Sequence, residues 1–403
     1  MRTEALAEAG SILYTLAHRT FSTTSAEFMD RRDFAKTAAL GALGATAIGC
    51  SDDASTSPDA PAVQTQPQVR WRLASSFTES LGILYGAAEV LAERVSALTG
   101  GRFQIRPYAA GELVPAFEVL GAVQNGIVQM GHSASYYFVG KNPALAFDAT
   151  VPFGLTARQY NAWWYHGGGK DLMRALFSDF NIYNLPGGNT GMQMGGWFKQ
   201  PITSMDDMQG LRMRIPGLGG KVMNRLGVNV QQIAGGEVYP ALERGTVDAV
   251  EWVGPYDDKQ LGFHEIASYY HYPGWWEPGP ALTFYVNRSD WDALPTAYQE
   301  ALTAAADVAN VQMLARYDQA NPKALEDLVQ LGVTLQRFPN AVMRAAEDAT
   351  AAILEEQAAQ SPQYRTIYDS YTQFRSDVYR WFEMSELAYG SFAFPQPGAD
   401  ASA

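Results

Sequence analysis

The sequence predicts an α/β protein built as two similar lobes, and three observations carry that prediction. Strand and helix patterns alternate from Val69 to Met130, the same order returns after Met192, and the halves share a short helix-Gly-strand joint. Such alternation is the signature of a parallel sheet with helices packed on its faces.

Val69-Arg70-Trp71-Arg72-Leu73 alternates as a strand does. Glu79 to Leu98 follows with Leu81, Leu84, Ala88, Leu91 and Val95 at helical spacing, and Gly100-Gly101 stops it. Phe103 to Arg106 is the next strand. A helix from about Pro115 to Asn125 then leads through Gly126 into a strand at Ile127–Met130. Later, Met192–Phe198 and Leu211–Ile215 read as strands and Gly219–Leu226 as a short helix. A helix over Val238–Arg244 ends at Gly245 and runs into a strand at Thr246–Val250. The two joints, Val123-Gln124-Asn125-Gly126-Ile127-Val128-Gln129 and Leu242-Glu243-Arg244-Gly245-Thr246-Val247-Asp248, resemble each other residue by residue. Pro186-Gly187-Gly188-Asn189-Thr190-Gly191 and Pro273-Gly274 are expected hinge crossings between the lobes. An Ala-rich helix from about Pro295 to Glu326 follows, then helices over Val342–Gln357 and Tyr364–Leu387.

The chain has 403 residues, 47% of them hydrophobic, enough for a large core and more than one domain. Only 18% are charged and the net charge is −13, which argues against nucleic acid, because a duplex binder needs a basic face. An anionic ligand is not excluded, but a specific buried cation must meet it, since the general field repels it.

The first 68 residues read as address rather than fold. Met29-Asp30-Arg31-Arg32-Asp33-Phe34-Ala35-Lys36 is a twin-arginine export signature. The apolar run Thr37–Gly49 that follows is too short to span a bilayer. It ends in Ala47-Ile48-Gly49-Cys50, a lipobox in which Cys50, the sole cysteine, is the expected lipidation site. Plain signal cleavage is the alternative, and residues 1–28 have no role in this scheme, which leaves Met29 open as the start. Ser51–Gln68, rich in Ser, Pro, Asp, Ala and Gln, is expected to be a disordered tether. The mature chain is therefore expected in the periplasm, soluble or lipid-anchored.

In open α/β sheets, ligands bind beyond the carboxyl ends of the strands. That rule selects His132, Ser133, Ser135, Tyr136 and Tyr137 after Met130, Arg214 near the end of its strand, and Glu251 and Trp252 after Val250. Gln193 alternates with Met192 and Met194, so one face of its strand should be core and the other should look into a cleft. For Arg214 two readings stay open: a surface ion pair, with Arg212 on the same face, or a fork that grips a carboxylate bidentately. For Glu251 the alternatives are a solvated carboxylate and, beside Trp252 and Val253, a desolvated one that needs a cation. Tyr136-Tyr137 and Trp275-Trp276 fit core or interface at least as well as a ligand site.

Catalytic signals are poor. Five His occur with no zinc-site spacing. His166-Gly167-Gly168-Gly169 resembles a lipase oxyanion loop, but no G-x-S-x-G supplies a nucleophile. Gly169-Lys170 lacks the rest of a phosphate loop, and Val222 stands where a dinucleotide motif would end in Gly. An enzyme is not expected; an extracytoplasmic hydrolase or lyase is the rival reading from another class.

Asp207-Met208-Gln209-Gly210-Leu211-Arg212-Met213-Arg214 resembles the hallmark of the solute-binding subunits of tripartite ATP-independent periplasmic (TRAP) transporters, the DctP family, and most nearly their 2-oxo-acid-binding TakP type. The likeness runs from about Val69 to Leu387. It is carried by Val69–Phe77, Gly111–Pro115, Gly187–Gly191, Gln231–Gly236, Glu251–Asp258 and Tyr272–Glu277. It implies two Rossmann-like lobes with a ligand cleft between them, as in periplasmic solute-binding proteins, with a long bridging helix and C-terminal helices. The implied boundaries are an export signal with lipobox over 1–50, a linker over 51–68, lobe I over 69–185 and lobe II over 186–280. Residues 281–388 would return to lobe I and supply the bridging and C-terminal helices, and 389–403 would be a disordered tail.

The resemblance also implies roles. Arg214 would clamp the ligand carboxylate. Gln193, Glu251 and the Trp252 carbonyl would hold a metal ion, Na+ in the nearest relatives, that also touches the ligand. Tyr136, Tyr137 and Glu277 would complete the pocket, Glu277 counted also as a metal ligand. The partners would be a small 2-oxo monocarboxylate, the TRAP membrane permease subunits and a second copy of the chain. Charge counting agrees: a monocarboxylate, Arg214, Glu251 and a monovalent cation sum to zero, as a closed cleft prefers. Ca2+ leaves an excess of +1 unless Glu277 ionises, so a calcium-dependent 2-hydroxy acid (lactate) protein is the alternative within the class. Oxygen-only ligation suits a hard cation in either case. Phe153, Trp197 and Trp276 are the aromatic residues expected to set pocket depth.

Overall fold

The computed structural model of the chain describes residues 66–394. The expected export signal, Cys50, nearly all of the expected linker and the end of the expected tail lie outside the described residues.

The elements run β1 (Val69–Ser75), α1 (Gly86–Leu98), β2 (Phe103–Tyr108), α2 (Val119–Gln124), β3 (Met130–Ser133), α3 (Ala157–His166), α4 (Gly169–Ser178) and β4 (Ile182–Asn189). Next come β5 (Trp197–Phe198), β6 (Arg212–Arg214), α5 (Gly217–Arg225), β7 (Asn229–Gln231), α6 (Gly235–Glu243), β8 (Ala249–Val250), α7 (Pro255–Gln260) and β9 (Tyr269–Tyr272). The chain ends with β10 (Ala281–Asn287), α8 (Arg288–Asp292), α9 (Thr296–Gln330), β11 (Thr334–Arg337), α10 (Asn340–Gln360), α11 (Pro362–Phe382) and α12 (Ala388–Ala393).

Two sheets organise these elements, one in the order β2-β1-β3-β10-β4 and one in the order β11-β9-β5-β8-β6-β7. In the first, β1, β2 and β3 are parallel, while β10 runs antiparallel to β3 and β4. In the second, β6 lies parallel to β7 and β8, and β5 antiparallel to β8 and β9. Alternation sets the faces of β1: Trp71 and Leu73 are buried and Arg70 and Arg72 exposed. The chain passes from the first sheet to the second between Asn189 and Trp197, and back between Tyr272 and Ala281. The 35-residue α9 packs on α1 and β4 of the first lobe and on α7 of the second. At 1.5 Å per residue it is about 52 Å long. Its buried Ala301, Ala305, Ala306 and Ala309 allow that close approach.

Several expectations are corrected. The helix expected from Glu79 starts at Gly86; residues 79–85 are turns in which Leu81 and Leu84 are nonetheless buried, so their spacing marked burial, not a helical ladder. The strand expected at Ile127–Met130 is displaced to Met130–Ser133, with Ile127 exposed. The strand expected at Met192–Phe198 shrinks to Trp197–Phe198; Met192 is 54% exposed while Gln193 is buried, the reverse of a core-facing methionine row. Pro186 to Asn189 belongs to β4 rather than to a hinge. A Cβ on Gly187 would lie 2.8 Å from Thr283 backbone, so that glycine serves close strand pairing, not freedom. The span 281–388 does not stay with lobe I, because β11 pairs parallel with β9 in the second sheet. Finally, Ala388–Ala393 is helical, which moves the start of any tail beyond 389.

Candidate functional site

The two crossing segments run side by side and are hydrogen-bonded to each other. The Thr190 amide donates to Pro280 O at 3.1 Å, the Gln193 amide to Glu277 O at 3.3 Å, and the Gly274 amide to Gln193 O at 3.1 Å. A Cβ on Gly274 would lie 2.5 Å from Met194 O, so only glycine permits this approach. Gln193 and Glu277 are thereby neighbours at the junction of the lobes, both buried.

From the second sheet, β6 and β8 are adjacent and parallel, with Arg214 opposite Val250. The strand-end positions Arg214 and Glu251 therefore meet. Arg214 Nη1 donates to the Glu251 carbonyl at 2.6 Å and to Glu251 Oε2 at 2.7 Å, and Nε donates to Ile233 O at 3.1 Å. Both side chains are 1% exposed, so Arg214 is not part of a surface ion pair. The surface pair belongs instead to Arg212, bound to Asp248. The Arg214 guanidinium also lies 4.8 Å from the centre of the Trp252 ring.

These residues close one side of a small, tightly closed cavity at the junction. Gln193, Arg214, Glu251, Trp252 and Thr190 face Phe77, Leu84, Tyr136, Tyr137 and Leu282 across it. The site is thus polar where the second lobe and crossings contribute and largely apolar on the first lobe. The sequence reading missed Phe77, Leu84, Thr190 and Leu282. Phe77 lies two residues past the end of β1, where the strand-end rule would have found it. His132, Ser133 and Ser135 do not line this cavity. They are buried in internal bonds: His132 Nε2 to Gly187 O at 2.9 Å, Ser133 to Ser76, and Ser135 to Asp148 and Tyr285. Phe153, Trp197 and Trp276 do not line it either. Phe153 stacks on Trp275, Trp197 on Tyr270, and Trp276 packs against Phe338.

Burial lifts the Glu251 carboxyl to about 8, against the pull of Arg214 and with a further push from Asp258. Glu277 is raised well above its ordinary range, first by burial and then by Glu251. Burial alone would lower Arg214, but Glu251, Tyr137, Tyr136 and Glu277 hold it above its usual value. Both partners of the pair move upward: burial penalises the ionised glutamate more than Arg214 favours it, while the arginine is held up by the carboxylates and tyrosines around it.

Five buried polar atoms at this junction have no hydrogen-bond partner: Gln193 Oε1, Glu251 Oε1, Glu277 Oε2, Arg214 Nη2 and the neutral indole donor Trp252 Nε1. Three are oxygen acceptors and one is a charged donor. A native fold rarely leaves such atoms orphaned, each costing about 1–3 kcal/mol or more. Together these four are the complement of a hard cation and a carboxylate. Among the described residues no group of three His, Cys, Asp or Glu side chains is arranged for a metal.

Residues 74–361 match the model of the DctP family, bacterial extracellular solute-binding protein family 7. A monocarboxylate 2-oxoacid-binding periplasmic protein of Nostoc sp. (strain PCC 7120 / SAG 25.82 / UTEX 2576) is 48% identical over 365 residues, 91% of this chain and 99% of that protein. A TRAP transporter solute-binding protein from Bordetella bronchiseptica RB50, a dimer with calcium and picolinate bound, is 46% identical. Its structure matches with a TM-score of 0.80 over 81% of this chain and 97% of that one. A TRAP periplasmic solute-binding protein from Pseudoalteromonas atlantica T6c, with sodium and pyruvate bound, is 40% identical. It matches with a TM-score of 0.79 over 81% of this chain and all of that one (100%). Two mixed sheets, crossings that carry polar residues into one cavity, and these matches agree: the chain is a two-lobed α/β solute-binding protein, not an enzyme, and belongs to the DctP family.

Proposed function

We propose that this chain captures a small 2-oxo monocarboxylate, pyruvate or a longer homologue, together with a metal ion, and delivers it to the membrane permease of a TRAP transporter. The observation that carries the reading is the orphaned quartet of Gln193 Oε1, Glu251 Oε1, Glu277 Oε2 and Arg214 Nη2. Arg214 Nη2 is a free charged donor for a carboxylate, and the three oxygens suit a hard cation. The Trp252 carbonyl, on the residue next to Glu251, is a further donor. A 2-oxo acid offers an adjacent carboxylate and keto oxygen that chelate one ion, as picolinate offers a carboxylate beside a ring nitrogen. Tyr136 and Tyr137 complete the polar wall, and Phe77, Leu84 and Leu282 receive the carbon tail.

Charge balance bears on the ion. Arg214, ionised Glu251, a monocarboxylate and sodium sum to zero with Glu277 protonated; calcium sums to zero once Glu277 ionises. Isothermal titration of the metal-stripped protein tests the reading, with pyruvate, 2-oxobutyrate and lactate each in sodium, calcium or choline buffer. Heat is expected with a 2-oxo acid plus sodium or calcium and not with choline. Silence with every acid and cation would remove the reading; lactate with calcium alone would transfer it to the 2-hydroxy acid class.

A homodimer and a membrane tether belong to the same reading. Trp381, Met384, Leu387, Tyr389, Phe392 and Phe394 are exposed along the C-terminal helical segment, an apolar stripe that a second copy would cover. The twin-arginine route and the lipid on Cys50 rest on the sequence of residues 29–50. Mass spectrometry of the full-length product reads both: twice the chain mass under native conditions, and a diacylated Cys50 after digestion. A monomer, or an N-terminus free of lipid, removes the corresponding part.

A further inference from the structure

Asp258 lies one helical turn beyond the Glu251–Trp252 pair, on α7, and is 1% exposed. Its carboxylate accepts four hydrogen bonds. Oδ1 takes the Val253 and Gly254 amides at 3.2 and 3.1 Å, and Oδ2 takes Trp197 Nε1 at 2.9 Å and Tyr270 OH at 2.7 Å. A helix cap needs one or two backbone bonds. Here the same carboxylate also gathers side chains from β5 and β9, which pair with each other, while β5 pairs with β8. The turn it holds follows directly on Glu251 and Trp252, and the Met194 amide donates to Val253 O at 3.2 Å, which ties that turn to the crossing that carries Gln193. All four donors are neutral, and no Lys or Arg forms an ion pair with Asp258 among the described residues. A full negative charge thus stands buried behind Glu251 without a counter-ion of its own, an arrangement that costs free energy until a cation enters nearby.

The geometry points to Asp258 as a positioning residue for the cation: it fixes the Glu251–Trp252 turn from behind and adds an uncompensated negative charge that raises affinity for the ion, and for a divalent ion most. This rests on the cation-dependent binding proposed above. Groups that hold or back metal ligands typically change metal affinity by about 10–100-fold when removed.

The test is Asp258→Asn, titrated in the full chain with sodium and with calcium, pyruvate being held constant. Wild type is titrated alongside: absence of cation-dependent binding there overturns the earlier reading and this one with it, whereas normal cation dependence in wild type with an unchanged variant overturns this one alone. Expected are a loss of about tenfold or more in calcium affinity, a smaller loss for sodium, and hence a reduced calcium-to-sodium ratio. The new amide would point its N–H groups at Trp197 Nε1, so the variant should also melt earlier. Trp197→Phe in the same chain removes that opposed donor and should restore the melting temperature but not the calcium preference. Wild-type cation affinities in Asp258→Asn overturn the inference. So does an equal loss for both ions, or a double variant that recovers stability and ion preference together, because each marks a helix cap alone.

Discussion

Arg214→Lys should weaken 2-oxo acid binding by about 2–5 kcal/mol, the usual effect of leaving one buried charge unmatched. The guanidinium spends Nε on Ile233 O and Nη1 on the Glu251 carbonyl and carboxylate, and keeps Nη2 unpartnered. A lysine ammonium is one point of charge on a flexible stem and cannot stand in both places. Either it stays with Glu251 and abandons the ligand, or it meets the ligand and strands a buried carboxylate. It also gives up the flat contact with Trp252. Titration calorimetry with pyruvate at fixed cation reads the loss, roughly thirtyfold or more in Kd. A wild-type Kd in a variant that melts normally would reject the clamp.

Glu251→Gln should do something different. The amide keeps the shape and one oxygen but not the charge, so Arg214 is left buried without its ion pair. Above about pH 8, where Glu251 is ionised in the ligand-free protein, breaking such a pair typically destabilises by about 3–5 kcal/mol, visible as an earlier melt, and the effect fades as the pH falls below that value. The second effect concerns the ion. With the Glu251 charge gone, the ion loses both a carboxylate ligand and the nearest negative charge, leaving only the more distant Asp258 to attract it. The remaining pyruvate affinity should therefore rise much less with sodium or calcium. Persistence of the full cation dependence would show that Glu251 is not among the ion's ligands.

Arg214 and Glu251 were legible in the sequence because the strand-end rule depends only on recognising two short strands, and Met213 and Val250 mark those well. Gln193 was found for a wrong reason: its neighbours Met192 and Met194 suggested a strand, whereas it sits on a crossing whose hydrogen bonds come from the other crossing. No local pattern announces such pairing between segments about 80 residues apart. Glu277 was reachable only through family likeness, for the same reason. The first-lobe wall was half legible: Phe77 and Leu84 stand in regions that were read, but Leu84 lies in turns, and Leu282 lies on β10, a strand buried on every residue and so without alternation. β4 was masked by its glycines, and β11 is an exposed edge strand with too little apolar content to stand out.

The crossings carry one more consequence. When two bodies swing about a pivot, points at the rim travel far and points at the axis hardly at all. Were the lobes to swing about the two crossings, Gln193 and Glu277 would stand near the axis, with Tyr136 and Leu84 on one arm and Glu251 on the other. The Gln193 and Glu277 oxygens would then stay together through each stroke while the wall around the acid's tail comes and goes. The ion would be the tenant of this protein, and the organic acid its traffic.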